Sequence, residues 1–229
     1  MVEYFHLQSR SSRRLTATNT VDDDYEVTLC PITSGWNQHR SCRRIHDLAF
    51  EVSHRKRDEQ IIWSFEGPVF HNLLLDELQN RGFTGFRRRP ATVRFRDGFL
   101  SSDYSELIVA GWGGLAPLAS GIHLLEECPA CGYRKYSGLE EAANLVDWSQ
   151  WSGDDFFIVW PLPRYIMITK RAADTLASLG VRTYDLHPPS DLEKRAQEFA
   201  FCHEYSVGRV SQFMPQDIAL KYGQPLGLE

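Results

Sequence analysis

The sequence lacks the features that mark membrane-spanning and secreted proteins. It has no apolar run near the length of about 18 residues that crosses a bilayer, and its N-terminal stretch has no apolar segment typical of a secretory signal. Its five cysteines are an odd number, which favours reduced thiols or metal ligands over a disulfide scaffold. We therefore expect a cytoplasmic protein that has no membrane partner.

Motifs of common enzyme classes are also missing. The eight histidines occur without an H-E-x-x-H pattern, and there is neither a G-x-S-x-G elbow nor a G-x-x-x-x-G-K-[ST] phosphate loop. The glycine-rich stretch from Gly111 to Gly121 is interpreted as a turn region between two halves of the chain. The sequence therefore favours a protein that is not an enzyme.

The chain is rich enough in apolar residues, at 42%, to form a core of its own. Its net charge of −5 is unevenly spread. Basic residues outnumber acidic ones between Arg40 and Arg96, and acidic residues outnumber basic ones from Asp97 onward. Such asymmetry either steers a charged partner or reflects a solvated surface, and the sequence alone leaves both interpretations open.

The two halves of the chain share identical residues at a constant offset. At a spacing of 98 positions, Cys30 matches Cys128, Pro31 matches Pro129, Asp76 matches Asp174, Leu78 matches Leu176, Gly82 matches Gly180, and Pro90 matches Pro188. Several of these residues are glycines and prolines, which commonly punctuate secondary structure. The pattern indicates a duplicated unit.

Each copy has a similar local pattern. In the second, the apolar run Phe156–Trp160 predicts a strand, and the spacing of apolar residues from Lys170 to Leu179 predicts a helix that ends at Gly180. Alternation from Val181 to Leu186 predicts a following strand. The same order recurs in the first copy around Leu73–Leu78 and Gly82.

These patterns predict an α+β fold with two related halves, each made of a knuckle-like turn and a strand-helix-strand unit. We assign residues 1–110 to the first half, residues 111–189 to the second, and residues 190–229 to a helical tail, all within one structural unit. The S-x-x-E form of Ser190–Glu193 predicts the start of the tail's first helix, since it is typical of a capping box.

The segment ECPACGY, from Glu127 to Tyr133, contains a C-x-x-C-G sequence typical of a zinc knuckle. The corresponding position for a second cysteine in the first half is Thr33, so Cys30, Cys128 and Cys131 are the predicted metal ligands. The fourth ligand is left open among Cys42, His39 and His46. The alternative is a relic turn that binds no metal. Redox catalysis is disfavoured, since Glu126 and Glu127 oppose formation of a thiolate.

With these motifs, the chain resembles the double-CXXCG motif family of myxobacterial proteins. The likeness is clearest from Leu73 to Phe86 and from Cys128 to Tyr184, where ECPACGY is followed by DDFFIVWPLPRYIMITKRAADTLASLGVRTYDL. The resemblance implies an immunity protein that binds and neutralises a cognate polymorphic toxin exchanged between sibling bacteria. It also implies that the two C-x-x-C motifs of the family correspond to Cys128 with Cys131 and to Cys30 with Thr33, where a threonine replaces the second cysteine.

Acidic residues of the second half are candidates for contacting a basic toxin. The predicted partner-binding residues are Glu140, Glu141, Asp154 and Asp155, with Trp148 and Trp151 as aromatic anchors in a polar stretch. Core packing is the alternative interpretation for each tryptophan.

A zinc-ribbon protein that binds nucleic acid is the alternative function. It would use Arg87–Arg89, Arg94 and Arg96 on phosphates, with Phe86 and Phe95 stacked on bases. The sequence pI of about 5.9 disfavours it, because nucleic-acid-binding domains are usually basic.

Overall fold

The computed structural model describes residues 2–10, 18–19, 25–53, 59–64, 66–198 and 204–229. These residues form an α+β fold dominated by sheets, which confirms the predicted fold class. No helix within them is long and apolar enough to cross a bilayer.

The strands vary from two to ten residues in length. They are β1 (Tyr4–Ser9), β2 (Thr18–Asn19), β3 (Tyr25–Leu29), β4 (Arg40–Arg44), β5 (Leu48–Val52), β6 (Ile61–Trp63), β7 (Pro68–His71), β8 (Phe86–Phe95), β9 (Leu100–Val109), β10 (Gly111–Leu115), β11 (Leu124–Glu127), β12 (Arg134–Ser137), β13 (Phe156–Trp160), β14 (Ile166–Thr169), β15 (Tyr184–His187) and β16 (Glu204–Val207). The α-helices are α1 (Asn72–Asn80), α2 (Lys170–Ser178), α3 (Pro189–Glu198) and α4 (Gln216–Ile218).

Two larger sheets form the body of the protein. One has the strand order β2-β5-β8-β9-β7-β6, and the other has the order β10-β13-β14-β1-β15. A main core, which includes Leu78 of α1 and Leu176 of α2, extends across both halves of the chain. A second core lies on the opposite side of the first sheet, because strand residues alternate between faces: Phe70 packs into the main core and Val69 into the second.

The two strand-helix-strand units correspond in local detail. Helices α1 and α2 begin 98 residues apart, and each is capped by the side chain of the residue before it, His71 or Thr169, which accepts a backbone N–H bond. Each helix is followed by a glycine in the left-handed region, Gly82 at φ 73° and Gly180 at φ 71°. These glycines end the helices without the steric cost of a side chain.

The N-terminal strand of the chain lies in the sheet of the second half. Strand β1 pairs on both sides, with β14 and β15, whereas β9 takes the corresponding place between β7 and β8. The registers also correspond. Phe5 pairs with Ile168 in one sheet, and Ser105 pairs with Phe70, the residue equivalent to Ile168, in the other. Separation of the halves would therefore break two strand ladders as well as the shared core.

The C-terminal tail combines helices with a strand. Helix α3 covers the stretch predicted from the capping box, and α4 lies in the last segment. The tail also contributes β16, which pairs with β12 and which the prediction of a helical tail did not include. The tail therefore completes a small sheet of β11, β12 and β16.

A buried carboxylate, Asp155, joins the equivalent helical segments of the two halves. It accepts hydrogen bonds from the Thr169 hydroxyl at 2.8 Å and from the Thr84 backbone N–H at 3.3 Å. Arg171 donates to the same carboxylate from Nε at 3.1 Å and to the Gly82 carbonyl from Nη2 at 3.1 Å. Asp155 thus satisfies donors of both units at their junction.

Replacing this carboxylate should destabilise the fold. We expect Asp155→Ala to lower the free energy of unfolding by about 2–4 kcal/mol, since it leaves the buried Thr169 hydroxyl without its acceptor and removes the ion pair with Arg171. Asp174→Ala is the matched control, because Asp174 forms an exposed pair with Lys170 and its loss should cost less than about 1 kcal/mol. Urea denaturation of both variants measures the difference, and equal costs would contradict this role of Asp155.

Candidate metal centre

The first hairpin that builds the site consists of β3 and β4. Its turn begins at Cys30, whose backbone N–H donates to the His39 carbonyl at 2.9 Å. The Gln38 side chain donates to the Cys30 carbonyl at 2.9 Å, and the Thr33 hydroxyl accepts from the His39 backbone N–H at 3.0 Å. These bonds fix the backbone on which Cys30 and His39 are carried.

The second hairpin, β11 and β12, has a shorter turn. The Cys128 N–H donates to the Tyr133 carbonyl at 2.8 Å, and the Gly132 N–H donates to the Cys128 carbonyl at 2.9 Å. Gly132 has a φ of 70°, a left-handed conformation that a residue with a side chain rarely adopts. The turn places Cys128 and Cys131 on one side, as expected for a knuckle.

The two turns bring four metal-binding side chains together. The ligand atoms of Cys30, His39, Cys128 and Cys131 all lie within 4.8 Å of one another. The Cys30 and Cys128 sulfurs are 3.7 Å apart, and the Cys131 sulfur is 3.6 Å from His39 Nδ1. These residues are close enough to bind a metal ion. We refer to them as the metal centre.

His39 occupies the place in the first hairpin that Tyr133 occupies in the second. Each residue's carbonyl accepts the N–H of the first cysteine of its turn, and the two rings stack with centroids 4.1 Å apart. Thr33, which corresponds to Cys131 at the offset of 98 positions, accepts a hydrogen bond from the His39 backbone. His39 lies six residues further along the extended turn and brings the fourth potential ligand to the site.

The other two candidates for a fourth ligand do not join the metal centre. Cys42 is exposed on β4, opposite Val27, and His46 is exposed beyond the end of that strand. Cys42 and the three cysteines of the metal centre have free thiols, whereas Cys202 lies outside the described residues. Among the three alternatives left open by the sequence, the structure places His39 at the site.

The pKa values of two of the thiols are shifted in opposite directions. The pKa of Cys30 is lowered to about 6, mainly by a hydrogen bond with Thr33. Burial raises the pKa of Cys131 to about 11, so its proton is held more tightly. A metal ion must displace the proton of Cys131, because metals bind the thiolate form.

The two tryptophans predicted to anchor a partner pack against the main core. Trp148 lies edge-on to Tyr4 with ring centroids 5.6 Å apart and to Trp151 at 5.4 Å. Trp151 also packs on Phe157, at 6.0 Å. Both side chains are partly buried, so most of their surface serves packing.

The acidic residues predicted to meet a partner differ in their environments. Asp155 is buried in the network with Arg171 and Thr169, whereas Asp154 is partly buried and accepts a hydrogen bond from Ser152. Glu140 and Glu141 are exposed. Only these two glutamates are fully available at the surface within the predicted set.

The arginines considered for nucleic-acid binding are mostly engaged in ion pairs. Arg87 pairs with Asp217, Arg88 with Asp76, Arg89 with Glu106, and Arg94 with Glu51. Phe95 is buried, and Phe86 packs edge-on to Phe156 at 5.2 Å. Arg96 is exposed in the turn that follows β8.

No protein-family model matches the sequence, and a search of curated proteins finds no significant match. The resemblance to double-CXXCG proteins therefore stays a prediction.

Loss of His39 should weaken metal binding strongly. We expect His39→Ala to lower the affinity for Zn²⁺ by more than about 100-fold, because loss of even an outer-sphere partner costs about 10- to 100-fold. His46→Ala is the control, since His46 lies outside the metal centre, and its affinity should stay within about threefold of the parent. Competition with a chromophoric chelator measures the zinc affinities of both variants. An unchanged affinity of His39→Ala would exclude His39 as a ligand.

Proposed function

We propose that the chain is a zinc-stabilised, non-enzymatic immunity protein that binds and neutralises a bacterial toxin. The observation that carries the proposal is the convergence of Cys30, His39, Cys128 and Cys131 from two separate hairpins. These four ligands support the zinc-stabilised part of the proposal, because a metal bound by them would fix one hairpin against the other. The resemblance to the double-CXXCG family supports the immunity role.

Zinc is the metal that fits this set of donors best. Tetrahedral zinc with bonds of about 2.3 Å to sulfur and about 2.0–2.1 Å to nitrogen would separate two sulfurs by about 3.8 Å and a sulfur from a nitrogen by about 3.6 Å. The corresponding separations are 3.7 Å for Cys30 and Cys128 and 3.6 Å for Cys131 and His39. Three thiolates and an imidazole are also typical of structural zinc.

A centre with four protein ligands supports a structural rather than a catalytic metal. Catalytic zinc usually has three protein ligands and an open position for water or substrate. Here Cys30 and Cys128 are buried, and all four ligands come from hairpin turns. The metal would therefore fix one hairpin against the other and leave an outer surface available for a protein partner.

The cytoplasm is the compartment we propose for this function. Four described cysteines are free, and the thiols of the metal centre must stay reduced to bind zinc. An immunity protein of this kind meets its toxin inside the cell that it protects. A membrane or nucleic-acid partner is not part of the proposal, since four of the candidate arginines are already paired with carboxylates.

Co-expression with a toxin tests the proposed function. The reading frames that neighbour this chain's gene are first expressed alone, and one that stops growth is taken as the toxin domain. That domain is then induced in cells with the chain, with Cys128→Ser, or with an empty vector. We expect the chain to restore growth and Cys128→Ser to protect much less, since the variant loses a metal ligand. Colony counts after induction measure protection.

Cys42→Ser is the matched control, because Cys42 is an exposed cysteine of the same protein outside the metal centre. It should protect as well as the parent. If the parent chain neither binds the toxin domain nor restores growth, the immunity proposal is wrong.

A further inference from the structure

Trp36 is the most exposed large apolar side chain of the described residues, with a relative accessibility of 105%. It lies in the short 3-10 turn Gly35–Asn37, between Cys30 and His39. Single exposed apolar residues are common, but tryptophan is costly to leave in water and is enriched among residues that dominate binding interfaces. Its full exposure on a short turn therefore makes it a candidate for contacting a partner.

This turn is present only in the first hairpin. Cys30 and His39 are joined through nine residue steps, whereas their counterparts Cys128 and Tyr133 are joined through five, although both pairs make the same backbone hydrogen bond. The extension carries Trp36 and lets His39 reach the metal centre. One insertion thus supplies both a ligand and an exposed aromatic side chain.

The hairpin is fixed at both ends. A metal bound by the four side chains would hold its turn, and at the other end the Arg44 side chain of β4 pairs with the buried Glu106 of β9. The Gln38 N–H also donates to the Gly35 carbonyl at 3.2 Å, next to Trp36. A side chain presented on fixed backbone loses little conformational freedom on binding, which favours affinity.

The surface of the hairpin is apolar with a basic component. Val27, Leu29 and Ile32 are all more than half exposed. Arg40 is exposed on β4 directly opposite Leu29, so it lies on the same face of the hairpin as Val27 and Leu29, and it makes no ion pair with another residue that the structure describes. This combination complements a partner surface that has an apolar pocket and acidic residues around it.

We infer that the β3–β4 hairpin is the toxin-binding surface, with Trp36 inserted into an apolar pocket of the toxin and Arg40 facing acidic residues at its rim. This inference rests on the proposed immunity function. It places the contact on a basic hairpin rather than on the acidic residues predicted from the sequence. Exposed aliphatic side chains favour a protein partner over nucleic acid, since they make no contact with phosphates.

The test measures binding of the purified toxin domain used in the co-expression assay. Trp36→Ala should weaken binding by at least about 30-fold, which is typical of a residue at the centre of an interface. Leu118→Ala is the matched control, because Leu118 is 79% exposed on another short 3-10 turn, and it should change binding by less than about threefold. Zinc content and the thermal midpoint verify that each variant is folded.

The acidic nature of the partner is tested with charge reversals. Arg40→Glu should slow association and reduce its dependence on salt, since an arginine facing acidic residues accelerates encounter. Arg96→Glu is the control for a change of the same charge at an exposed site outside the hairpin. Equal effects of the two reversals would contradict the inferred acidic rim.

The remaining outcomes separate this inference from the immunity function. If the parent binds the toxin domain and Trp36→Ala binds it equally well, the assignment of the binding surface to the hairpin is wrong, whereas the immunity function stands. If the parent does not bind the toxin domain, both are wrong. A labelled single-stranded DNA of about 20 nucleotides is the second probe, and binding that depends on Trp36 would assign the hairpin to nucleic acid and overturn the inference.

Discussion

The contact of Cys30 and His39 with Cys128 and Cys131 constrains the position of the first hairpin. Strands β3 and β4 pair only with each other among the described strands, and an isolated two-stranded hairpin is marginally stable in water. The hairpin therefore depends on side-chain contacts with the rest of the protein. The metal centre at its turn and the Arg44–Glu106 pair at its other end provide them.

The two halves are joined by other interactions as well. Strand β1 lies within the sheet of the second half, and the main core contains side chains from both helical units. If the four side chains bind a metal, its removal should therefore release the turn of the hairpin while the larger sheets stay folded. In this account the metal determines the shape of a surface, whereas strand pairing and core packing determine the fold.

Local sequence patterns predicted the helices but not the long-range pairings. Apolar spacing and Gly180 identify α2 because helix formation depends on nearby residues. The placement of β1 between β14 and β15 depends on partners more than 150 positions away, and no local pattern encodes that. Trp148 and Trp151 were predicted as surface anchors because their sequence neighbours are polar, yet their rings face the core.

The metal centre was partly predictable for a similar reason. The C-x-x-C-G turn identified Cys128 and Cys131, and the offset of 98 positions identified Cys30. The fourth ligand stayed open because the extended turn shifts His39 from any standard ligand spacing. Trp36 was missed, although the extra residues between Cys30 and His39 were a signal that this turn differs from its counterpart.

X-ray absorption spectroscopy of the protein, purified without chelators, tests the central claim most directly. The account predicts zinc surrounded by three sulfur atoms at about 2.3 Å and one nitrogen at about 2.0–2.1 Å. Zinc in a shell dominated by oxygen, or a folded protein without bound metal, would contradict it.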